Sequence, residues 1–232
     1  MKTLKNGSRS FEVEFLQRLL NKAADRDGAR GVRLLEDGIF GPKTEMALRA
    51  FQGRHRPLVI NGIAGSQTWK ELGLRFEKEH AKVILFGQPS DHSCWAAAAT
   101  MILGNESVGQ GGARLAPSGG LPVNIENYRA FADSLGWRML GSSPSVMEMV
   151  NLIQSTSAWI SGGGTGWAHA VVVSGVYSDG DGSGTGTMFR IHDPWPMGKG
   201  MIYGTFAVPF TMLAADSKTR VNTSLDFVLV PR

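Results

Sequence analysis

The sequence contains a single cysteine, Cys94. With no second thiol an intrachain disulfide is impossible, and the CxxC spacings that hold zinc are absent. A lone cysteine is most often a small, buried, hydrophobic side chain. The alternative is a nucleophile, and the sequence around Cys94 distinguishes these two interpretations.

Long apolar runs are also missing. No stretch approaches the roughly 18 apolar residues that span a bilayer, so we expect no membrane insertion. The opening residues, MKTLKNGSRSFEVEF, lack the apolar segment of a secretory signal, so we expect synthesis in the cytoplasm and no general export signal. No dense Lys/Arg stripe with interleaved aromatic residues occurs, which argues against nucleic acid as a partner.

Charge is distributed unevenly along the chain. Residues 1–76 hold 14 Lys and Arg against 8 Asp and Glu, a balance of +6, whereas residues 77–232 hold 10 against 12, a balance of −2. This asymmetry suggests that the first part contacts something anionic. A solvated basic face without a partner explains the same numbers, and the sequence leaves both interpretations open.

A short internal repeat lies in the first part. Residues 37–44, DGIFGPKT, are echoed 24 residues later by residues 61–68, NGIAGSQT. In each copy Asp-Gly or Asn-Gly favours a turn with positive φ, and the second glycine leads into a helix. Pro42 suits a first helical position and Ser66 an N-cap. With an apolar stripe at helical spacing before the first turn, the pattern predicts three short helices joined by glycine-rich turns.

This segment resembles the three-helix peptidoglycan-binding domain found on many cell-wall hydrolases. The resemblance rests on residues 14–21, 37–44, 47–52 and 61–69, and only residues 25–35 are longer than the family usually allows. It implies contact with peptidoglycan, and a module that has lost wall binding and serves as a spacer or prodomain is the alternative. The residues assigned to the wall contact are Asp37, Phe40, Thr44, Asn61, Thr68 and Trp69.

A different pattern follows, with helices first and strands after, which predicts an α+β domain with an antiparallel sheet. We expect a small all-α three-helix domain at 1–76, a linker at 77–85, and an α+β domain of papain-like type at 86–232. Predicted helices cover 44–52, 68–72, 94–103, 125–135 and 145–153, and predicted strands cover 158–161, 170–177, 188–192, 201–208 and 225–230.

Cys94 lies where a loop becomes an alanine-rich helix, with Ser90, Asp91 or Ser93 as possible N-caps. The positive end of a helix favours a thiolate, and the Cys94 backbone N–H is placed to donate to a developing oxyanion. His169 begins a strand after the glycine-rich segment 162–166 and is the predicted base. Its neutral imidazole would take the Cys94 proton and later return it to the leaving amine.

Asp193 ends the next predicted strand and is the expected acceptor for the far ring N–H of His169. Trp195, two residues on, would shield that hydrogen bond from water. Cys94, His169 and Asp193 together form a predicted catalytic triad.

These motifs resemble the papain-like cysteine peptidases, in particular the compact bacterial forms that include the avirulence-protein peptidases of plant pathogens. The matching residues are Gln88, Cys94-Trp95, His169 and Asp193-Pro194-Trp195. An Asp in place of plant papain's Asn, and the short chain, both fit the compact bacterial relatives. The resemblance implies that Gln88 donates its side-chain amide to the oxyanion. Candidate substrate contacts are Trp95, Trp167 and Trp195.

Each assignment has a structural alternative: an inert core thiol, a satisfied histidine, a turn aspartate or a surface glutamine. His92 and His192 are rival bases, but the first shares the loop before Cys94 and the second alternates with Asp193 along one strand. A zinc site has no dedicated ligand spacing, so we expect no metal or other cofactor. Residues 179–184, DGDGSG, mimic the start of a calcium loop, but position twelve would be Arg190, so a hairpin turn is predicted instead.

The favoured hypothesis is a cell-wall hydrolase whose front module docks on peptidoglycan while the peptidase cuts an amide bond there. Such a protein would act at the wall or periplasm of a target cell as an antibacterial effector, delivered by a specialised secretion apparatus and opposed by an immunity protein. The alternative is a toxin that cleaves proteins and uses the front module only for anchoring or passage. A third hypothesis is a binding protein with a dead or minor enzyme site.

Overall fold

The computed structural model describes residues 1–29, 31, 33–104, 119–140, 144–164, 167–207, 211–213, 220–222 and 225–232. The described helices are α1 (Phe11–Arg26), α2 (Pro42–Arg54), α3 (Ser66–Glu71), α4 (Cys94–Leu103), α5 (Ile125–Ser134) and α6 (Val146–Ser155). The described strands are β1 (Phe76–Glu79), β2 (Arg138–Leu140), β3 (Ala158–Gly164), β4 (Trp167–Ser178), β5 (Thr187–Asp193), β6 (Met201–Phe206), β7 (Thr211–Leu213), β8 (Arg220–Asn222) and β9 (Leu225–Val230).

The chain divides into two compact units. The first is Met1–Glu77 together with Tyr177–Met188, and the second is Lys78–Val176 together with Phe189–Arg232. Residues 177–188, the connection between β4 and β5, therefore pack with the first unit, although the sequence placed them inside the second domain. The domain boundaries at 76 and 86 stay a prediction, and the proposed linker contains most of β1.

The helices of the first unit surround an aromatic core. The apolar stripe of α1 faces inward, with Val13, Phe15 and Leu16 fully buried. Phe15 stacks on Trp69 with the ring centroids 6.1 Å apart. Burying side chains of this size contributes roughly 1.5–3 kcal/mol each, which is what keeps such short helices folded.

The two repeated turns are each held by one buried glutamine. Gln17 Nε2 donates to Asp37 Oδ1 at 2.8 Å, and Gln17 Oε1 accepts the N–H groups of Asp37 and Gly38 at 3.0 Å. Gln52 does the same at the second turn: Nε2 donates to Asn61 Oδ1 at 3.2 Å, and Oε1 accepts from Asn61 and Gly62. The two turns of the repeat are therefore held by the same pattern of hydrogen bonds to a glutamine side chain.

Gly38 and Gly62 adopt φ of 71° and 70°, as the repeat predicts. Pro42 is the first residue of α2, also as predicted. Ser66 was expected as an N-cap, but the cap of α3 is Gly65 and Ser66 is the first helical residue, in the position of Pro42. The expectation was wrong because the two copies are equivalent at the helix start: Gly65 and Ser66 have the positions in α3 that Gly41 and Pro42 have in α2.

Residues 177–188, at the tip of the β4–β5 hairpin, complete the first unit. The Tyr177 ring is fully buried, 6.1 Å from Phe15 between centroids. Lys22 Nζ lies 2.6 Å from Asp179 Oδ2 and 2.7 Å from Asp181 Oδ2. The acidic residues of the DGDGSG segment are thus bound by a lysine in a hairpin turn, as predicted.

The second unit is built on an antiparallel sheet, as the α+β prediction required. The strand order is β2-β9-β3-β4-β5-β6, and β1 pairs with β4. Its core lies between the sheet and helices α4 and α5, where Trp95, Phe131 and Trp159 meet edge to face. Trp159 Nε1 donates to the Trp95 carbonyl at 3.0 Å, which fixes the first turn of α4 against β3.

Within the described residues, no helix combines the length and apolar character needed to cross a bilayer.

Candidate active site

Cys94 is the first residue of α4 and is half-buried. Ser93 occupies the N-cap position but makes no capping bond, since its hydroxyl donates to the Ser90 carbonyl at 2.9 Å. A first helical residue has no intrahelical acceptor for its N–H. The first-turn N–H groups of α4 therefore remain available to an anionic group beside Cys94.

The alanine run that follows Cys94 is buried, and Ala98 and Ala99 have no exposed surface. Small side chains let α4 pack closely against the sheet, and α4 contacts β3 directly. The Cys94 backbone is therefore held by a rigid helix.

His169 lies on β4, opposite Gly162 of β3, and is 4% exposed. Its Nε2 lies 2.7 Å from Asp193 Oδ1. The Cys94 side chain is close enough to His169 to raise the pKa of its ring. Because Nε2 faces Asp193, Nδ1 is the ring nitrogen left for the thiol. The structure thus brings together the three residues that the sequence predicted as a triad.

The pKa of His169 reflects these two neighbours. Burial alone lowers it, but the hydrogen bonds to Asp193 and Cys94, with the negative charges of both groups, raise the pKa from an ordinary 6.5 to about 10. The raised pKa favours the protonated form of the ring, so the neutral imidazole is a strong acceptor for the proton of the Cys94 thiol.

Asp193, at the end of β5, is 1% exposed and held from several sides. Its Oδ1 also accepts the Trp195 N–H at 2.8 Å, and the Tyr203 hydroxyl on β6 donates to Oδ2 at 3.4 Å. Multiple donors fix the carboxylate, so it orients the imidazole rather than rotating with it. Trp195 thus supports Asp193 through its backbone, and its side chain is half-buried.

Gln88 is buried beside this constellation but does not stand free. Its Nε2 donates to the Ser90 carbonyl at 2.7 Å and to the Asp91 carbonyl at 3.3 Å. Oε1 is buried and meets no hydrogen-bond partner among the residues that the structure describes. In this structure the amide nitrogen of Gln88 binds two carbonyl groups of the loop before Cys94, and its role at an oxyanion stays a prediction.

Glycine permits the close approach that seats Gln88. A Cβ on Gly87 would lie 2.3 Å from the Lys199 backbone nitrogen, so no larger residue fits. The Gln88 N–H donates to the Pro194 carbonyl, and the Gly198 N–H donates to the Gln88 carbonyl, both at 2.9 Å. The loop before Cys94 is thereby tied to the loop after Asp193.

The rival histidines are placed elsewhere. His92 is exposed, next to Gly120. The His192 Nδ1 meets the Ser174 hydroxyl at 2.7 Å, and Arg190 also donates to that hydroxyl. Burial and the charge of Arg190 lower the pKa of His192 to about 4, so this ring stays neutral. Asp193, not its neighbour, faces His169.

The predicted substrate contact at Trp95 is wrong. Its side chain is 5% exposed and packs edge-on against Phe131, while its Nε1 donates to the Gly119 carbonyl. An aromatic residue next to the nucleophile belongs here to the core, because the helix turns it inward. The side chain of Trp167 lies outside the described residues, so that assignment stays a prediction.

The predicted wall-contact residues divide into two groups. Asp37 and Asn61 are exposed at the turn tips. Thr68 is 4% exposed but lines a pocket at the second turn, so its assignment stays a prediction like theirs. The other three assignments are contradicted by burial, because side chains that are at most 3% exposed cannot reach a polymer: Phe40, Thr44 and Trp69. Sequence reasoning missed Gln17 and Gln52, whose amides hold the turns.

Across the described part of the chain, no group of three or more His, Cys, Asp or Glu side chains is arranged to hold a metal ion. The Cys94–His169–Asp193 arrangement combines a thiol, an imidazole and a carboxylate. That set suits acyl transfer through a thioester.

Comparison with protein families agrees with this geometry. The model described as "Papain-like cysteine protease AvrRpt2" matches residues 78–206, which is more than half of the chain. The chain belongs to this family of papain-like cysteine proteases. It is therefore a cysteine peptidase, a hydrolase.

The peptidase also carries a second domain. The model described as "Putative peptidoglycan binding domain" matches residues 9–72, the segment with the two glutamine-held turns. None of the curated proteins matches the chain.

Proposed function

We propose that the peptidase cuts an amide bond in peptidoglycan, with Cys94 as nucleophile, His169 as base and Asp193 as the group that orients the ring. The contact of His169 with both other residues is the observation that carries the proposal. The peptidoglycan-binding domain in the same chain supports the choice of substrate. Action at the cell wall follows from that domain.

The first step is proton transfer from the Cys94 thiol to His169 Nδ1. The raised pKa of His169 favours this transfer before substrate arrives. The thiolate then attacks the carbonyl carbon, a C–S bond forms, and the carbonyl electron pair moves to oxygen. Asp193 holds the imidazolium in place through Nε2 and compensates its charge.

The second step collapses the tetrahedral intermediate. His169 returns its proton to the leaving nitrogen, the C–N bond breaks, and an amine departs while the acyl group stays on Cys94 as a thioester. Water then enters, loses a proton to His169 and releases the carboxylic acid, and the thiol reforms. In each step a single proton moves to or from the same atom, Nδ1 of His169.

The oxyanion would accept a hydrogen bond from the backbone N–H of Cys94, at the uncapped N-terminus of α4. Gln88 becomes a second donor to the oxyanion only if its amide gives up the longer of its two hydrogen bonds, the one of 3.3 Å to the Asp91 carbonyl. The shorter bond to Ser90 would persist and keep the loop in position. Gln88 therefore serves both as a clamp on this loop and as a donor in the transition state.

The wall-binding domain would raise the substrate concentration around the peptidase, since both are on one chain. Attack on the wall of a rival cell would make the protein an antibacterial effector. A secretion apparatus and an immunity protein are predictions that go with that role.

Digestion of purified sacculi tests the proposal. The wild type should release fragments with new amine ends by mass spectrometry, and Cys94→Ala should release none. His92→Ala, an exposed histidine near the nucleophile but outside the triad, is the matched control and should digest like the wild type. Intact sacculi after incubation with wild type would refute peptidoglycan as the substrate.

A protein substrate is the second candidate, because the matching family is one of proteases. The same triad would then cut a peptide bond in a target protein. A proteome-wide search for new N-termini after exposure to wild type and Cys94→Ala separates the two. One or a few new termini with intact sacculi would favour the protein substrate.

A further inference from the structure

A pocket lies at the second turn of the peptidoglycan-binding domain, within the first compact unit. Its volume is about 230 Å³, and it opens beside the buried Gln52 that holds this turn. Pockets that enclose a whole small molecule usually measure about 300–1,000 Å³. This one is smaller, so it suits one unit of a polymer that continues along the surface.

The lining chemistry is neutral. Apolar side chains come from Leu58, Val59 and Ile63, and uncharged polar side chains come from Asn61, Ser66 and Gln67. Within the described chain, no ionisable side chain is among the residues that line it. The adjacent Arg49 is paired with Glu45 at 2.9 Å, so the two charges compensate each other.

Part of the apolar lining is exposed in the described structure. Val59 is 68% exposed and Ile63 36% exposed. Exposed apolar surface beside polar groups marks a ligand contact more often than a random surface does. The Asn61 Oδ1 is engaged by Gln52 and by the Ile63 N–H, which leaves the Asn61 NH2 group to donate to a ligand.

The first turn is built differently at the equivalent positions. Glu36 stands where the second turn has Ile60, and it binds Arg18 at 2.5 Å and Asn21 at 3.0 Å. Lys43 stands in the position of Gln67. The first turn has similar apolar side chains, since Leu35 is 77% exposed and Ile39 40% exposed. It carries Asp37 and Lys43, however, where the second turn carries Asn61 and Gln67, so only the second turn pairs its apolar surface with uncharged groups at these positions.

We propose that this pocket binds an N-acetylated amino sugar of the glycan strand, and this inference rests on the proposed wall binding. The acetamido methyl group would pack on Val59 and Ile63, and the acetamido and hydroxyl oxygens would accept from Asn61 and Gln67. The contact is uncharged, so it differs from the attraction to anionic polymer that the basic composition of residues 1–76 suggests.

The test compares two equivalent isoleucines in the full chain, made as Cys94→Ala so that sacculi stay intact. Ile63→Ser removes an apolar wall of the pocket, and Ile39→Ser makes the same change at the first turn, where Ile39 is 40% exposed. Binding to sacculi should weaken roughly five- to tenfold for Ile63→Ser and less than twofold for Ile39→Ser. Gln67→Ala, at an exposed position, should also weaken binding, and thermal unfolding verifies that each variant is folded.

A soluble probe identifies the ligand. A tetramer of N-acetylglucosamine should shift the methyl NMR signals of Val59 and Ile63 but not of Ile39, and equally at low and high salt because no charge is involved. A response only to the free stem peptide, or binding that salt abolishes, would overturn the sugar assignment.

The outcomes separate the two levels of the argument. One outcome is that the Cys94→Ala parent binds sacculi while Ile63→Ser and Gln67→Ala bind as tightly as Ile39→Ser. In that case the pocket is not the binding site, and wall binding itself stands. If no variant and not even the parent protein binds sacculi, the proposed function itself fails.

Discussion

His169 Nε2 lies 2.7 Å from Asp193 Oδ1, and both side chains are almost completely buried. The pair sits on neighbouring strands β4 and β5, so the sheet itself sets the distance between them. A buried carboxylate bonded to one ring nitrogen leaves the other nitrogen for Cys94 and fixes its direction.

Asp193→Asn should therefore lower kcat by roughly 10- to 1,000-fold while changing KM little, because the amide neither compensates the imidazolium nor selects its tautomer. The pKa of His169 should fall at the same time, since Asp193 is one of the two groups that raise it. Steady-state kinetics and NMR titration of the ring measure both effects.

Tyr203→Phe is the matched control for that substitution. The Tyr203 hydroxyl reaches Asp193 at 3.4 Å, a long bond to the oxygen that does not face His169. Its loss should cost less than about tenfold in kcat. Equal losses for the two variants would show that Asp193 acts through burial rather than through His169.

Stability should fall in mild acid because of His192. Its folded pKa of about 4 lies below the ordinary 6.5, so the unfolded chain binds the proton more tightly. The free energy of unfolding should be unaffected by this group above pH 6.5 and should drop by about 3 kcal/mol between pH 6.5 and pH 4.

Urea unfolding at a series of pH values measures this dependence, and His192→Asn should flatten it. His169 does not interfere in that window, since its raised pKa contributes stability that is complete below 6.5 and is lost only as pH rises towards 10. An identical pH dependence in His192→Asn would contradict the assignment.

Gln17→Ala and Gln52→Ala should each destabilise the first unit by about 2–4 kcal/mol. Each change leaves two backbone N–H groups and several acceptors without the buried amide that now satisfies them. Gln67→Ala, an exposed residue nearby, should change the melting temperature by less than about 2 °C. Equal melting of all three variants would mean that the glutamines are incidental to the turns.

The sequence showed the repeat but not the residues that hold it. The turns recur at a constant offset, whereas Gln17 precedes its turn by 20 residues and Gln52 by 9. A residue brought to a turn by helix packing leaves no periodic signal. The burial of Phe40 and Trp69 was missed for a related reason, since an aromatic residue beside a turn fits a binding face and a small core equally well.

In the second unit, the proximity of Cys94, His169 and Asp193 was predictable because their chemistry and order are distinctive. Trp95 was not, because only the helix direction decides whether it faces a cleft or the core. The strand β1, FEKE, was interpreted as linker since its side chains are charged, yet strand pairing needs only backbone groups.

The hairpin 177–188 should be required for full stability of the first unit. Tyr177 is fully buried against Phe15, and Lys22 pairs with Asp179. A fragment of residues 1–76 should melt well below the same residues in the intact chain, and Tyr177→Ala in the intact chain should cost about 3–5 kcal/mol. Hydrogen exchange at α1 amides reports the change, and unchanged protection in the fragment would contradict it.

The most direct test of the account is the rate at which iodoacetamide alkylates Cys94 at pH 6. The chain has one cysteine, so intact-mass spectrometry reads the reaction without ambiguity. An ordinary thiol is less than about 1% ionised at this pH, so a thiol that has passed its proton to His169 should react on the order of 10- to 100-fold faster in wild type than in His169→Ala. Equal rates in the two proteins would show that His169 does not activate Cys94, and the proposed catalytic mechanism would be wrong.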